Sequence, residues 1–104
     1  MLFLLHIQTQ PRPDFTPEQR ADESRRELAA AVDLMRRGVL RRIFRCAGSN
    51  LSYCICEADS PEDLDAALRE MPAFTSILHV SVTPLIKHPV EKAYEQEYGS
   101  LPPF

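Results

Sequence analysis

The 104-residue sequence has no tryptophan, only three glycines and three cysteines, and no excess of basic residues. Three cysteines are too few for a disulfide framework, and one Cys-x-Cys pair does not supply the four ligands of a structural zinc site. A net charge of −3 lacks the basic excess typical of nucleic-acid-binding domains. The apolar start at Met1–Leu5 is too short to span a membrane and lacks the basic region of a signal peptide. We therefore expect a cytoplasmic protein that holds no metal or cofactor and binds neither nucleic acid nor membrane.

Hydrophobic residues make up 44% of the chain, which is enough for one small folded domain. Thr16 followed by Pro17 and Gln19 predicts a capped helix start, and Gly38 predicts where that helix ends. Ser60 before Pro61 predicts a second start of the same kind. The predicted strands cover 1–9, 39–46, 51–58 and Ile77–Thr83, and the predicted helices follow Thr16 and Ser60.

The order β-α-β-β-α-β is that of the ferredoxin-like α+β fold, a four-stranded antiparallel sheet with two helices on one face. We assign this domain to residues 1–89. The apolar strands indicate that the other sheet face is also covered, most simply by an identical subunit, which gives a dimeric α+β barrel. The aromatic tail at 90–104 is expected to pack on the body or on a partner subunit.

Periodicity also predicts which side chains share a face. In the first helix an i, i+3, i+4, i+7 stripe is expected to face the core. It consists of Leu28, Ala31, Val32 and Met35. In the second strand, alternation places one set of side chains on one face and a second set on the other. The first set is Arg41, Ile43 and Arg45, and the second is Leu40, Arg42, Phe44 and Cys46.

No glycine-rich phosphate loop, nucleophile elbow or paired metal ligands occur, so the candidate site rests on polar residues at positions expected to face inward. Glu23 and Glu27 lie one helical turn apart and share a helix face, or else form ordinary surface ion pairs. The other candidates could also be core residues or structural ion pairs. They are His6, Arg41, Arg45, Tyr53 and His79.

Taken in order, several short segments resemble the muconolactone isomerase family over roughly residues 1–89. They are Met1-Leu2-Phe3, Ala21-Asp22-Glu23, Arg45-Cys46-Ala47-Gly48 with Tyr53, Met71-Pro72-Ala73-Phe74 and Lys87-His88-Pro89. The resemblance implies sheet-to-sheet subunit pairing in a homodimer or a higher homo-oligomer, and a double-bond shift in an unsaturated lactone or a related heteroaromatic molecule. It also implies that a glutamate, Glu27 by ungapped counting or Glu23 by letter matching, moves the proton.

The same resemblance assigns the remaining site residues. His6, Arg41 or Arg45 would polarise the carbonyl, with Tyr53, Phe44 and His79 around the ligand. The chain departs from the family at Leu40 and Phe44, where the family has bulkier aromatics, which predicts a reshaped pocket. It is also similar to accessory proteins of natural-product pathways, including those for the bipyrrole half of prodigiosin. The alternative function is therefore a non-catalytic one, in which the protein binds a reactive intermediate or a pathway enzyme.

Overall fold

A computed structural model describes residues 1–10, 12–74 and 78–103. Four strands and three helices follow one another along the chain. They are β1 (Leu2–Thr9), α1 (Pro17–Arg36), β2 (Leu40–Arg45), β3 (Leu51–Glu57), α2 (Pro61–Leu68), β4 (Leu78–Leu85) and α3 (Pro89–Tyr98). The first six elements confirm the predicted β-α-β-β-α-β order.

The strands form one antiparallel sheet in the order β2-β3-β1-β4. β1 is central, with Leu5 opposite Cys54 of β3 on one side and Val82 of β4 on the other. Since residues directly opposite each other lie on the same sheet face, the register sorts the side chains into two faces. We call the face that contacts the helices the covered face and the other the open face.

The predicted helix ends are confirmed. The Thr16 hydroxyl accepts a hydrogen bond from the Gln19 backbone N–H, and the Gln19 side chain accepts one in return from the Thr16 backbone N–H. Ser60 caps α2 in the same way through the Asp63 backbone N–H. Gly38 follows the end of α1 with a φ of 81°, a left-handed conformation that glycine adopts without steric cost.

The core lies between the covered face and the helices α1 and α2. Phe3 and Leu5 of β1 are 1% and 0% exposed, and Leu64 of α2 is 2% exposed. Cys54 and Cys56 are buried free thiols of the same cluster, as expected for small apolar side chains of a strand.

The predicted core stripe of α1 is wrong at three of its four positions, and only Ala31 packs against the core. Leu28, Val32 and Met35 are 67%, 59% and 44% exposed, whereas the buried residues of the helix are Glu23 and Leu34. On the buried side of α1, the Glu27 carboxylate accepts a hydrogen bond from the Ala73 backbone N–H, which fixes this rotation. Periodicity alone cannot choose between two overlapping stripes of one helix.

The predicted faces of β2 are also corrected. The register shifts by one residue between Leu40 and Arg42, so Arg41 forms a β-bulge. Leu40, opposite Cys56, therefore joins the covered face with Ile43 and Arg45, while Arg42 and Phe44 lie on the open face opposite Ile55 and Tyr53. Because the bulge adds one residue to β2, Leu40 lies on the opposite face from the one that strict alternation predicts.

Sequence analysis assigned no element to the tail, and the structure places α3 there. His88 caps it by accepting a hydrogen bond from the Val90 backbone N–H, with Pro89 at the first helical position. None of the ten residues of α3 is buried, so its packing on a partner stays a prediction. The predicted strand start at Ile77 and the chain end at Phe104 lie outside the described residues. Within the described ranges, no helix is long and apolar enough to cross a membrane.

Candidate functional site

Two carboxylates face inward from the first half of α1. Glu23 is 6% exposed, and Glu27, one turn further along, is half-buried. Burial raises the pKa of Glu27, and the negative charge of Glu23 raises it further. A carboxyl group whose pKa is shifted toward neutrality can both accept and return a proton at physiological pH.

The Glu27 carboxylate is held by the segment between α2 and β4. Its Oε2 accepts a hydrogen bond of 2.9 Å from the backbone N–H of Ala73, which opposes the rise of its pKa. Ala73 is fully buried, and its carbonyl accepts a bond from the backbone N–H of Leu78. One oxygen of Glu27 is therefore positioned by the backbone, and no described residue bonds the other.

A concavity of about 220 Å³ opens between the C-terminal half of α1 and the segment that follows α2. Ala30, one turn after Glu27, and Met71, two residues before Ala73, form part of its wall. Arg37 closes one side, where it forms ion pairs with Asp33 of α1 and Glu70 just after α2. Neither Glu23 nor Glu27 lines this concavity, whose nearest wall residue along the helix is Ala30.

The predicted ligand-binding aromatic residues lie on the open face instead. The rings of His6 and Tyr53 stack with centroids 4.6 Å apart and planes 11° from parallel. Phe44 is opposite Tyr53, and the Arg42 guanidinium lies 5.1 Å from the centre of its ring. His79 is on the same face, opposite Gln8. The Nε2 atom of His6 is buried and has no hydrogen-bond partner among the described residues.

The two predicted arginines lie near opposite ends of β2. The bulge residue Arg41 donates a 2.8 Å hydrogen bond to Glu57 of β3. Arg45 is at the far end of β2, where it lines a shallow concavity of about 330 Å³ with the turn residues Gly48, Ser49 and Asn50. The structure thus brings Glu23 and Glu27 together, and it places His6, Phe44, Tyr53 and His79 on the opposite side of the sheet.

Sequence reasoning missed Arg12, which lies in the connection between β1 and α1. The Glu23 carboxylate contributes to raising the pKa of Arg12, although a hydrogen bond and charge from Asp14 contribute more. Arg12 also stacks on the ring of Phe15, 4.6 Å from its centroid. The basic residue next to an aromatic one before the helix cap was the available signal. In the described ranges, no group of three or more acidic, histidine or cysteine side chains could hold a metal ion.

Comparisons with known proteins point to one family. The family model of muconolactone delta-isomerase matches residues 1–91. A muconolactone delta-isomerase of Cupriavidus pinatubonensis is 32% identical over 89 residues, which cover 86% of this chain and 96% of the relative. Muconolactone delta-isomerase 1 of Acinetobacter lwoffii is 36% identical over 78 residues, which cover 74% of this chain and 80% of the relative.

A comparison with solved structures finds a member of the same family. A crystal structure of muconolactone isomerase superposes with a TM-score of 0.78 at 27% identity and covers 86% of this chain and 92% of that one. A 5-chloro-2-hydroxyhydroquinone dehydrochlorinase of Burkholderia phenoliruptrix, in complex with 2,5-dihydroxybenzoquinone, has a TM-score of 0.61 at 19% identity. It covers 85% of this chain and 96% of that one, and at this identity it shows the fold alone.

Proposed function

Since the chain belongs to the muconolactone delta-isomerase family, we propose that it moves a double bond within a small unsaturated lactone by intramolecular proton transfer, with Glu27 as the acid/base. The observation that carries this proposal is the half-buried Glu27 carboxylate with a raised pKa, beside the buried Glu23. An ordinary surface glutamate would be too weak a base and would return its proton to water.

The proposed reaction needs one group that first accepts a proton and then returns it to another carbon. In an α,β-unsaturated lactone, the Glu27 carboxylate removes the proton from the γ carbon, and the electron pair delocalises onto the carbonyl oxygen as a dienolate. The resulting Glu27 carboxyl group then gives the proton to the α carbon, which leaves the double bond between the β and γ carbons. The Ala73 N–H fixes one oxygen of Glu27, so the other oxygen is the one that carries the proton.

The test is turnover of muconolactone, followed by its ultraviolet spectrum. We expect Glu27→Gln to lower kcat by about 10²- to 10⁴-fold, the usual contribution of a general acid/base, because an amide cannot take the proton. Glu18→Gln is the matched control, since Glu18 is an exposed carboxylate in the first turn of the same helix. Full activity of Glu27→Gln would rule out Glu27 as the base, and an inactive wild-type protein would rule out this substrate.

A binding role without chemistry is the second candidate. It is favoured by the hydrogen bond between Glu27 and the Ala73 backbone, because a carboxylate can serve a purely structural purpose in this way. Such a protein would carry an intermediate or act beside a pathway enzyme, as in the assembly of a natural product. Saturable binding of the lactone with no change in its spectrum would support this role over isomerisation.

We also propose that the working form is a homodimer or a higher homo-oligomer in which the open face is covered by a second copy. The open face presents Leu2, Phe44 and Tyr53, each between 41% and 43% exposed. Exposed apolar side chains so close together on one sheet face are typical of an interaction surface. Pairing through the sheets would bury the stacked rings of His6 and Tyr53 at the subunit boundary.

A further inference from the structure

The turn between β2 and β3 is held in one conformation by its own hydrogen bonds. The Cys46 N–H donates to the Leu51 carbonyl at 2.8 Å, and the Ser49 N–H donates to the Cys46 carbonyl at 3.2 Å. The Ser49 hydroxyl also donates to the Cys46 carbonyl and accepts a bond from the Leu51 N–H. Gly48 has a φ of 75°, which glycine adopts without steric cost. The turn is therefore a built element whose geometry a ligand does not have to create.

The same turn presents hydrogen-bond donors that the protein does not use. Among the residues that the structure describes, the backbone N–H groups of Gly48 and Asn50 meet no acceptor, and neither does the Asn50 side-chain amide. Two carbonyls of the turn are occupied, since that of Asn50 accepts a bond from the Thr9 N–H at 3.3 Å and that of Cys46 accepts from Ser49. A ligand at this turn therefore meets donors that are free.

Arg45 adds a positive charge to these donors. It lines one concavity of about 330 Å³ together with Gly48, Ser49 and Asn50, and none of these lining residues is acidic. Over the described ranges, the Arg45 guanidinium has no hydrogen-bond or ion-pair partner, whereas Arg41 near the other end of β2 is paired with Glu57. The space next to Gly48 is open, because a methyl group at its α carbon would contact no other residue.

This set of groups matches a small oxyanion. A guanidinium presents a planar fork of donors that fits a carboxylate or a phosphate, and the backbone N–H groups of a turn form a concavity that holds anions. A cationic ligand would be repelled by Arg45. A purely apolar ligand would exclude water from the free donors without replacing its hydrogen bonds, which is unfavourable.

We propose that Arg45 and the β2–β3 turn form a binding site for the carboxylate or phosphate group of a small molecule. Arg45 supplies the positive charge and the fork of donors, and the Gly48 and Asn50 N–H groups complete the site. The inference does not depend on the proposed isomerisation, because none of these residues takes part in the proton transfer by Glu27. A chain that binds the anion and isomerises no lactone would satisfy this inference alone.

The experiment titrates isotope-labelled protein with sodium acetate and, separately, with sodium phosphate, at an ionic strength kept constant with sodium chloride. The amide resonances of Gly48 and Asn50 report on the site. We expect their shifts to saturate, and Arg45→Ala to weaken binding by about tenfold or more. Arg25→Ala is the matched control, because it removes one positive charge from a 73%-exposed side chain of α1 that pairs with Asp22. This control should leave binding unchanged.

Two further variants separate the fork from the charge and from the fold. Arg45→Lys keeps the charge without the fork and should recover part of the affinity. Asn50→Ala removes only a side-chain amide, keeps the backbone bond to Thr9, and should weaken binding by about threefold even if Arg45→Ala does not fold.

Saturation of the shifts by either anion supports the inference, and the anion that binds more tightly shows whether a carboxylate or a phosphate is the preferred group. Shifts that never saturate would overturn it. Equal losses of affinity in Arg45→Ala and Arg25→Ala would also overturn it, because they would show a general effect of charge and no site at the turn.

Discussion

The two faces of one sheet are built from alternate residues of the same strands, yet they differ in almost every property. On the covered face, Phe3 and Leu5 are 1% and 0% exposed. On the open face, their neighbour Leu2 is 43% exposed, and Tyr53 of β3 is 41% exposed. The covered face is mostly apolar, whereas the open face mixes apolar side chains with polar ones such as Arg42 and Glu57. The difference in exposure follows from what lies above each face, because burial requires a second layer to pack against.

The candidate site residues are also divided between the two faces. Above the covered face, a helix brings Glu23 and Glu27 out of water, and burial raises the pKa of Glu27. On the open face, His6 and Tyr53 stack on each other. The site is thus defined by the helix layer, and the open face is available for association.

The largest expected difference between the faces is in core stability. Leu5→Ala should lower the free energy of unfolding by about 3 kcal/mol, since it removes a fully buried side chain and leaves a cavity. Leu4→Ala, on the adjacent half-buried position of the open face, should cost about 1 kcal/mol or less. Urea unfolding at low protein concentration measures both. Equal losses of stability in Leu5→Ala and Leu4→Ala would contradict the difference between the two faces. They would indicate that the open face is covered even at low protein concentration.

The next effect concerns association through the open face. Tyr53→Ser should raise the dissociation constant of the proposed dimer by about tenfold or more, because aromatic side chains contribute strongly to interfaces. Ile86→Ser is a suitable control, since Ile86 is 94% exposed and lies beyond the end of β4. Sedimentation velocity over a concentration series gives the result. A wild-type chain that stays monomeric throughout would refute the dimer.

A smaller effect is expected from pH on the covered face. Burial raises the pKa of Glu27 above its ordinary value of 4.5, so the folded chain binds this proton more tightly than the unfolded chain. Stability from this group is therefore present at low pH, falls as pH rises from 4.5 through the raised pKa, and is constant above it. Glu27→Gln should remove that decline relative to wild type, as measured by thermal unfolding at a series of pH values.

The matched control for this pH series is Glu18→Gln, which should keep the decline because Glu18 is exposed at the start of the same helix. The isomerase rate should rise with pH over the same window, since the base must be ionised to take the proton. If stability declines with pH as steeply in Glu27→Gln as in wild type, a group other than Glu27 causes the decline.

The smallest effect is expected at the ion pair of the bulge. Arg41→Ala should cost about 0.5 kcal/mol or less, because the side chains of Arg41 and Glu57 are 56% and 46% exposed. Since Arg41 is occupied by its ion pair with Glu57, KM for the lactone should not change. A large rise in KM would place Arg41 at the ligand site and join the two regions that the structure separates.

Much of the fold could be predicted from local signals. The caps at Thr16 and Ser60 and the stop at Gly38 depend on nearby backbone groups only, so neighbouring residues suffice to read them. The rotation of α1 could not be predicted, because the exposed stripe with Leu28 is more apolar than the inward stripe, which carries Glu23 beside Leu34.

The candidate site could be predicted in part. Glu23 and Glu27 were expected to share a helix face, and they do. Grouping them with His6 and Tyr53 required knowing which sheet face the helix covers, and the bulge at Arg41 altered the faces of β2. Arg12 was missed because its link to Glu23 depends on where the connection between β1 and α1 lies in space.

The sequence by itself determined the element order, the helix ends and the spacing of the two glutamates, because each follows from interactions within a few residues along the chain. Only the tertiary structure decided that Glu27 meets the Ala73 backbone, 46 residues away, and that α1 turns its Leu28 stripe outward. These features depend on packing between distant segments, where burial changes the pKa of a carboxyl group and sets its surroundings.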